Sequence, residues 1–201
     1  MARIDKTVVS GVFSLDGEEF DVANNVWLVG DDDEVLVIDA PHDAAPIVEA
    51  IGGRKVTAIV LTHGHNDHIN AAVDLREATG APIWFNPEDR MLWDVVHPDS
   101  APDRELAAGT TFQVAGTTLT ALHTPGHSPG STCLYAEDLG TVFTGDTLFH
   151  GGPGATGRSF SDHPTILESI RTQLLTLPGN TVVRTGHGDD TTIAAETSNI
   201  S

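Results

Sequence analysis

The chain alternates short apolar runs with polar turns, many of which contain glycine. Short apolar runs bounded by such turns are typical of strands, whereas longer segments with apolar residues three or four positions apart are typical of helices. On this basis we predict strands at residues 7–13, 25–30, 34–40, 55–62, 81–85, 110–116, 117–124, 131–137, 140–147 and 180–186. We predict helices at residues 44–53, 69–80, 165–177 and 189–200.

Glycine and proline mark where several of these segments end. Gly52 and Gly80 close the first two helices and Pro178 stops the third, because glycine adopts the left-handed conformation of a helix end and proline cannot continue a helix. Residues 87–109 are polar and weakly patterned, and residues 150–164 form a glycine-rich loop. Strands at both ends of the chain with helices between them predict a layered α/β or α+β fold, not a simple βαβ repeat.

The size and composition of the chain limit its architecture and partners. A length of 201 residues suits one domain, and the 39% of hydrophobic residues provides a sizeable core. We therefore expect a single domain over residues 1–201. The formal net charge of −19 disfavours nucleic acid and anionic membrane surfaces as partners, because both bind basic protein surfaces.

Sequence features also bear on cellular location. No apolar run approaches the roughly 20 residues that a membrane helix needs, and we read no signal-peptide pattern at the start of the chain. Cys133 is the only cysteine, which excludes an intramolecular disulfide and favours the reducing cytoplasm. Because Cys133 lies in a strand-like run, we expect it to be a small buried side chain.

Four of the predicted strands each lead into a histidine or an aspartate just past their C-terminal ends. These residues are His63, His127, Asp146 (after the apolar part of its run, at 140–144) and His187, and glycines beside the last three permit sharp turns. If the strands share an edge, their ends converge in one cleft, which is a common place for the sites of α/β proteins. The pattern therefore predicts a group of metal-capable side chains at one edge of the fold.

The segment LTHGHNDHIN contributes most of these candidate ligands. His63, His65 and Asp67 are spaced by two, so their side chains point the same way along an extended backbone. His68 follows where the chain turns into a helix. Imidazole nitrogens and carboxylate oxygens bind zinc at about 2.0–2.2 Å, and one such loop can supply ligands to two neighbouring ions. A polar side chain of this loop could also cap the helix, a role that is compatible with ligation.

Taken together, these motifs resemble those of the metallo-β-lactamase superfamily. THGHNDH looks like the superfamily's T-H-x-H-x-D-H motif, and the later motifs match in order: TPGHSPGS around His127, FTGDTLF around Asp146 and TGHGD around His187. Asp39 in VLVIDA resembles the superfamily's early aspartate at a strand end. The resemblance covers nearly the whole chain and implies a four-layer αββα sandwich with metal ions in a cleft along one edge.

Carried over by position, the resemblance implies seven ligands for two divalent metal ions. The first ion would be held by His63, His65 and His127, and the second by Asp67, His68 and His187. Asp146 would bridge both ions, and Asp39 would orient a ligand loop. Three histidines at one ion suit Zn²⁺, and the full set of histidines and aspartates also suits iron or manganese.

The resemblance also implies hydrolysis by a hydroxide that bridges the metals. The pKa of zinc-bound water falls to about 7, so hydroxide would be available at neutral pH. Near Asp146 it could attack a thioester or lactone carbonyl while the metals hold the developing oxyanion. Asp67 would be a ligand and could also orient the hydroxide, so Asp67 and Asp146 are the candidate catalytic residues.

Within the superfamily, TPGHSPGS and GDTLFHGG look most like the glyoxalase II-like hydrolases, which implies a small thioester as substrate. A typical glyoxalase II has a helical extension that helps bind the glutathione thioester, whereas only fourteen residues follow His187 here. The glycine-rich loop, GPGATGRSFSD, also differs from the shorter loop usual in that enzyme. We therefore expect a domain without that extension, and a thiol carrier other than glutathione is a reasonable alternative.

Three further residues are candidates for substrate contacts. His42 follows Asp39 closely and could face the cleft, and His150 and Arg158 belong to a glycine-rich loop that could cover the substrate. Arg158 could pair with a substrate carboxylate. A surface turn for His42 and a solvated loop for the other two are the alternatives.

Other activities stay open on the sequence alone. A mononuclear iron persulfide dioxygenase would keep most of these motifs, but the R-T-D-F type pattern expected after the glycine-rich loop reads GRSFSD here. A β-lactamase or lactonase is less favoured, because we read no secretion signal. A non-enzymatic metal-binding protein would be expected to have lost ligands, and none is lost. The sequence does not indicate the oligomeric state.

Overall fold

The computed structural model describes residues 1–200, and its main strands form two six-stranded sheets. The first sheet consists, in spatial order, of β1 (Arg3–Leu15), β2 (Glu18–Gly30), β3 (Glu34–Ile38), β4 (Lys55–Val60), β5 (Ile83–Phe85) and β6 (Arg104–Glu105). The first three strands are antiparallel neighbours, whereas β3 to β6 run parallel to one another.

The second sheet is mostly antiparallel. Its strands, named in chain order, are β7 (Thr111–Val114), β8 (Thr117–His123), β9 (Thr132–Ala136), β10 (Thr141–Gly145), β13 (Val182–Thr185) and β14 (Thr191–Thr192). In space they follow the order β14-β13-β10-β9-β8-β7, and β10 and β13 are its parallel pair. Between them in the chain, β11 (Leu148–Phe149) and β12 (Gly152–Pro153) form a small separate hairpin.

Short helices connect the strands. They are α1 (Ala44–Ile51), α2 (Asn66–Ile69), α3 (Ala72–Thr79), α4 (Arg90–Val96), α5 (His163–Ser169) and α6 (Ile193–Glu196), with 3₁₀ turns at Pro87–Asp89, Glu137–Leu139 and Thr197–Asn199 and a π-helical turn at Ile170–Leu174. Asp43 and Asp162 cap α1 and α5 by accepting backbone N–H groups of the first turn. Within residues 1–200, no helix has the length and apolar character needed to cross a membrane.

Alternating side chains on the central strands divide the core into three apolar layers. Val37 of β3 packs in one layer with Ile47 of α1, whereas its neighbour Leu36 faces the second sheet. In β10, Phe143 shares the layer of Leu36, and Val142 packs with apolar residues of α5. Successive side chains of a strand point to opposite faces, so both sheets are apolar on both sides and carry helices outside. The architecture is the predicted αββα sandwich.

The β1–β2 hairpin is much longer than the predicted strands at residues 7–13 and 25–30. Each strand has 13 residues, and the turn between them is Asp16-Gly17. Both turn residues have positive φ, 56° and 78°, as a two-residue Asp-Gly hairpin turn requires. The outer half of β2 is exposed, which explains why it lacks the apolar alternation of a half-buried strand.

Three other segments differ from the predictions. The helix predicted at residues 69–80 is instead α2 and α3, because the chain leaves helical geometry at Ala71, whose ψ is 5°. The helix predicted at residues 189–200 is wrong in its first part, where Thr191 and Thr192 pair with β13 before α6 begins. The weakly patterned residues 87–109 contain a 3₁₀ turn, α4 and β6.

Cys133 on β9 has a buried thiol, as its apolar context predicts. Burial raises the pKa of this thiol to about 11, so at pH 8 only about one thiol in a thousand is ionised. We expect an aromatic disulfide reagent to leave the native protein unmodified and to label one thiol per chain after denaturation, as measured by the released chromophore. Labelling of the native protein at the rate of the unfolded chain would contradict this placement.

Candidate metal centre

The candidate ligands come from both sheets, at the edge where the parallel strands end. His63 lies three residues after β4 of the first sheet. Asp146 directly follows β10 of the second sheet, His187 follows β13, and His127 lies in the loop between β8 and β9. The sequence pattern led us to consider a shared edge of one sheet. The strands instead belong to two different sheets. Two packed sheets bring their strand ends together.

The first cluster consists of His63, His65 and His127, all of which are buried. Nδ1 of His65 lies 3.1 Å from Nε2 of His63 and 3.0 Å from Nε2 of His127. The three ligand atoms of a tetrahedral ion with bonds of about 2.0–2.1 Å would lie about 3.3 Å apart. The spacing of these nitrogens therefore suits three ligands of one ion.

The second cluster consists of Asp67, His68 and His187. Nε2 of His68 lies 3.2 Å from Nε2 of His187. Oδ2 of Asp67 lies 3.6 Å from the first of these nitrogens and 3.3 Å from the second. These distances are also close to the spacing of ligands around one tetrahedral ion, so the second cluster suits one ion as well.

Asp146 adjoins both clusters. Its Oδ1 lies 3.3 Å from Nε2 of His68, and its Oδ2 lies 3.3 Å from Nε2 of His187 and 3.6 Å from Nε2 of His127. A Cβ at Gly186 would overlap Oδ1 of Asp146, so only glycine allows the backbone to approach this closely. The carboxylate of Asp146 can thus contact an ion in either cluster.

Hydrogen bonds from outside the clusters fix the orientation of the imidazoles. Nδ1 of His127 donates to the carbonyl oxygen of Ala155 at 2.8 Å, and Nδ1 of His187 donates to that of Ala23 at 2.9 Å. Because Nδ1 of each ring donates its proton outward, Nε2 is the nitrogen that faces the centre and can bind an ion. This is the tautomer that a metal ligand needs.

Asp39 performs the same function for His68. Its Oδ2 accepts a hydrogen bond from Nδ1 of His68 at 2.8 Å, and its two oxygens accept from the backbone N and Oγ1 of Thr62 at 2.7 and 2.9 Å. Asp39 has a φ of 66°, in the left-handed region that is uncommon outside glycine. The structure thus places Asp39 where it can orient both His68 and the loop after β4.

The two clusters differ in charge. Burial lowers the pKa of His63 well below its usual value, and burial together with the nearby charge of His127 lowers that of His65 to about 3. Burial also acts to lower the pKa of His187, but the charge of Asp146 outweighs burial and raises that pKa to about 10. The first cluster therefore presents neutral imidazoles, whereas the second cluster, with its carboxylates, attracts positive charge.

The atoms of the centre fit a divalent metal ion. Oδ1 of Asp67 and Oδ1 of Asp146 are buried and have no hydrogen-bond partner within the described chain, although buried polar atoms nearly always have one. A cation between the clusters would supply the missing partner. Imidazole and carboxylate donors together suit zinc, iron or manganese.

Asp89 is a buried residue that the sequence reasoning did not single out. Its carboxylate accepts hydrogen bonds from the backbone N of Gly64 at 2.7 Å, Oγ of Ser128 at 2.6 Å and the backbone N of Gly130 at 2.6 Å. It thereby ties the loop of His63 and His65 to the loop that carries His127. Its place four residues after β5 was the available signal.

Replacing Asp89 with alanine should destabilise the protein by more than about 2 kcal/mol, because unpaired buried donors cost about 1–3 kcal/mol each. Thermal unfolding should show a melting temperature lower by about 4–8 °C. Asp94→Ala is the matched control, since Asp94 is exposed on α4 and pairs with Arg90, and a surface change of this kind costs less than about 0.5 kcal/mol. Equal melting temperatures for the two variants would contradict the role of Asp89.

A cleft of about 430 Å³ opens above the two clusters. Its walls include the apolar side chains of Phe13, Val22 and Phe149, and its floor includes Asp67 and Asp146. A smaller cavity of about 70 Å³ adjoins it along the glycine-rich loop. The volume of the cleft falls in the range of small-molecule sites, which is about 300–1,000 Å³.

The three candidates for substrate contacts lie in different places. His42 is half-buried behind the second cluster, with Nε2 2.8 Å from Oδ1 of Asn24. His150 is exposed in the turn between β11 and β12 and does not belong to the described lining of either cavity. Arg158 lines the smaller cavity, where its Nη1 lies 2.5 Å from Glu18 and its guanidinium covers the ring of Phe20.

Residues 20–187 match the metallo-beta-lactamase superfamily. The chain belongs to this superfamily. Its membership accounts for the αββα fold and for a centre of histidine and aspartate side chains between the two sheets, and it supports a metal-dependent hydrolase.

Three similar proteins match over most of their own length. They are an uncharacterized protein from Aquifex aeolicus (35% identical over 87% of this chain and 89% of the relative), the probable metallo-hydrolase YqgX from Bacillus subtilis (33%, 86% and 88%) and the hydroxyacylglutathione hydrolase GloC from Haemophilus influenzae (34%, 86% and 89%). Two of these three relatives are described as hydrolases.

Solved structures of the same superfamily superpose well on this chain. They include the B3 metallo-β-lactamase BLEG-1 (TM-score 0.80, 28% identical, 94% of this chain and 97% of that one), TTHA1623 in a di-iron-bound form (0.78, 31%, 89% and 94%) and ETHE1 from Myxococcus xanthus (0.73, 27%, 96% and 83%). GloC is thus a relative described as a hydroxyacylglutathione hydrolase. One structural neighbour contains two iron ions.

Proposed function

We propose that this protein hydrolyses small thioesters with two divalent metal ions. The observation that carries the proposal is the adjacency of the two clusters: each has three donor atoms at the spacing of one ion, and Asp146 reaches both. His63, His65 and His127 would hold the first ion, and Asp67, His68 and His187 the second. When bound, such ions lower the pKa of water to about 7 and polarise a carbonyl.

The side chains around the centre would direct that chemistry. Asp67 and Asp146 line the cleft beside the ligand histidines, so their carboxylates can orient a water molecule towards a bound carbonyl. Phe13 and Phe149 on the walls of the cleft would exclude bulk water and pack against the acyl group. No serine or cysteine nucleophile is required, and the one cysteine of the chain, Cys133, is buried.

The smaller cavity bears on the thiol carrier. Histidines apart, Arg158 is the one basic side chain among the described lining of the two cavities, and Glu18 already neutralises its charge. Exposed acidic residues of the hairpin turn, including Asp16 and Glu19, add negative charge nearby. We therefore propose that a neutral thiol carrier is preferred over a strongly anionic one, since like charges repel at low ionic strength.

The direct test is hydrolysis of one acyl group on three carriers: N-acetylcysteamine, glutathione and coenzyme A. With zinc, manganese or ferrous iron added, we expect release of free thiol, fastest from the neutral N-acetylcysteamine ester at low salt. A protein that binds two ions and hydrolyses none of these esters would refute thioester hydrolysis. A β-lactam should be included as a counter-substrate, because BLEG-1 is described as a metallo-β-lactamase.

A mononuclear iron persulfide dioxygenase is the second candidate. It is favoured by the similarity to ETHE1 from Myxococcus xanthus, which is 27% identical to this chain and superposes with a TM-score of 0.73. Oxygen consumption with a thiol persulfide and ferrous iron, in protein that binds one iron per chain, would support this candidate. Two bound ions and thioester hydrolysis without oxygen uptake would exclude it.

A further inference from the structure

Asn24 brings an amide group into the second cluster. It is the first buried residue of β2, and its side chain is fully buried. The amide atom assigned as Nδ2 lies 3.0 Å from Oδ2 of Asp67, 3.2 Å from Nε2 of His68 and 3.4 Å from Nε2 of His187. One atom of Asn24 is thus close to all three candidate ligand atoms of this cluster at once.

These four atoms form a nearly regular tetrahedron. The three atoms of the second cluster are 3.2, 3.3 and 3.6 Å apart, and the amide atom is 3.0–3.4 Å from each of them. Four ligands of a tetrahedral ion with bonds of about 2.0–2.1 Å have edges of about 3.3 Å. The amide atom of Asn24 therefore has the spacing of a further ligand, which would bring the protein ligands of the second ion to five together with Asp146.

The chemistry of that position calls for an oxygen. An amide nitrogen has no lone pair to offer a cation, whereas the amide oxygen has two. A half-turn of the terminal amide exchanges the two atoms without moving any other group. The nitrogen of Asn24 would then face Nε2 of His42, which now lies 2.8 Å from the other amide atom and can accept its N–H.

His42 is held in place to serve as this partner. Its φ of 57° is in the left-handed region, which is unfavourable for a histidine. Asn70 accepts the backbone N–H of His42, and the absence of a side chain at Gly11 leaves room for the imidazole ring. Strained backbone of this kind is often found at functional sites, and here the imidazole of the strained residue reaches Asn24.

We propose that the side-chain oxygen of Asn24 is a ligand of the second metal ion and that His42 holds the amide in that orientation. Asn24 is a ligand additional to the seven histidines and aspartates, and His42 is a positioning residue and not a substrate contact. The inference rests on the two-ion centre of the proposed function. Its test measures metal affinity, which is independent of the substrate.

The experiment titrates metal-free protein with Co²⁺ and follows the visible absorption bands of each ion, with metal content checked by elemental analysis. Asn24→Ala should weaken binding of the second ion by at least about tenfold and change its absorption bands, while the first ion binds as before. Unchanged affinity and bands for the second ion in Asn24→Ala would overturn the proposal.

Asn24→Asp separates ligation from simple hydrogen bonding. If Asn24 supplies an oxygen ligand, the carboxylate of Asn24→Asp should bind the second ion at least as tightly as the wild type does. If Asn24 only donates a hydrogen bond to Asp67, Asn24→Asp loses that donor and gains no bond to the ion, because its oxygen does not reach the ion. Asn24→Asp should then bind the second ion as weakly as Asn24→Ala. The second outcome would overturn the assignment.

His42→Gly tests the positioning role without loss of folding, because glycine accepts the positive φ at this position. The variant should still unfold cooperatively, because relief of the positive φ partly offsets the lost hydrogen bond to Asn24, whereas its affinity for the second ion should fall several-fold. Full affinity in a folded His42→Gly protein would overturn the role of His42. A wild-type protein that binds a single ion would overturn both this inference and the proposed function, whereas two ions with unaffected variants would overturn the inference alone.

Discussion

Asp146→Ala is expected to lower kcat/KM for the best thioester substrate by at least about 1,000-fold. Outer partners of metal ligands typically contribute about 10–100-fold to metal affinity or activity, and Asp146 lies closer to the centre than such a partner does. Its carboxylate contacts both clusters, at 3.3 Å from His68 and His187 and 3.6 Å from His127. Its removal should therefore also reduce bound metal below two ions per chain, as measured by elemental analysis.

Asp138→Ala is the matched control for this prediction. Asp138 is an exposed aspartate in the 3₁₀ turn that precedes β10, whereas Asp146 directly follows the end of β10. We expect this variant to keep its metal content and its kcat/KM within about twofold, as for a surface change of small energetic effect. An Asp146→Ala protein that retained both metal and activity would refute the bridging position of the carboxylate.

Metal removal is expected to have the largest effect on stability. The centre brings together five histidines and two aspartates, most of them buried, and the Oδ1 atoms of Asp67 and Asp146 have no hydrogen-bond partner in the described chain. An ion present at about 1,000 times its dissociation constant stabilises the folded state by about 4 kcal/mol. For a protein of this size, the melting temperature should therefore fall by about 8–16 °C after chelation.

Differential scanning calorimetry on chelated and metal-reconstituted protein measures this difference. Return of the original melting temperature after zinc or manganese is added back would separate loss of metal from irreversible damage. Equal melting temperatures with and without bound metal would mean that the clusters are stable without an ion, and would contradict a stabilising role of the metal.

Much of the site could be predicted because its residues follow simple local rules. The crowding of His63, His65 and Asp67 marked them as candidate ligands, and single residues such as Asp146 and His187 followed strand ends. The expectation that these three side chains point the same way along an extended backbone was wrong, because Asp67 lies in α2 and belongs to the second cluster. The rule of strand ends also applied to Asp89, which lies shortly after β5 and was not singled out, because an isolated aspartate in a polar segment has no distinctive spacing.

The contacts of Asn24 could not be predicted, because they depend on tertiary structure. Asn24 contacts Asp67, His68 and His187 only because β2 of the first sheet runs beside the loop that carries His187 in the folded protein. Its sequence signal was limited to a polar position at the start of a buried run. The length of the β1–β2 hairpin was likewise hidden, since its outer half is exposed and lacks alternation, although Asp16-Gly17 is a strong hairpin turn signal.

An anomalous difference map from crystals of metal-reconstituted protein, recorded at the absorption edge of the metal, would show directly whether the centre holds two ions. We expect two peaks, one among His63, His65 and His127 and one among Asp67, His68 and His187, with Asp146 between them at a metal separation of about 3.5–4 Å. A single peak, or two peaks away from these side chains, would contradict a two-ion centre.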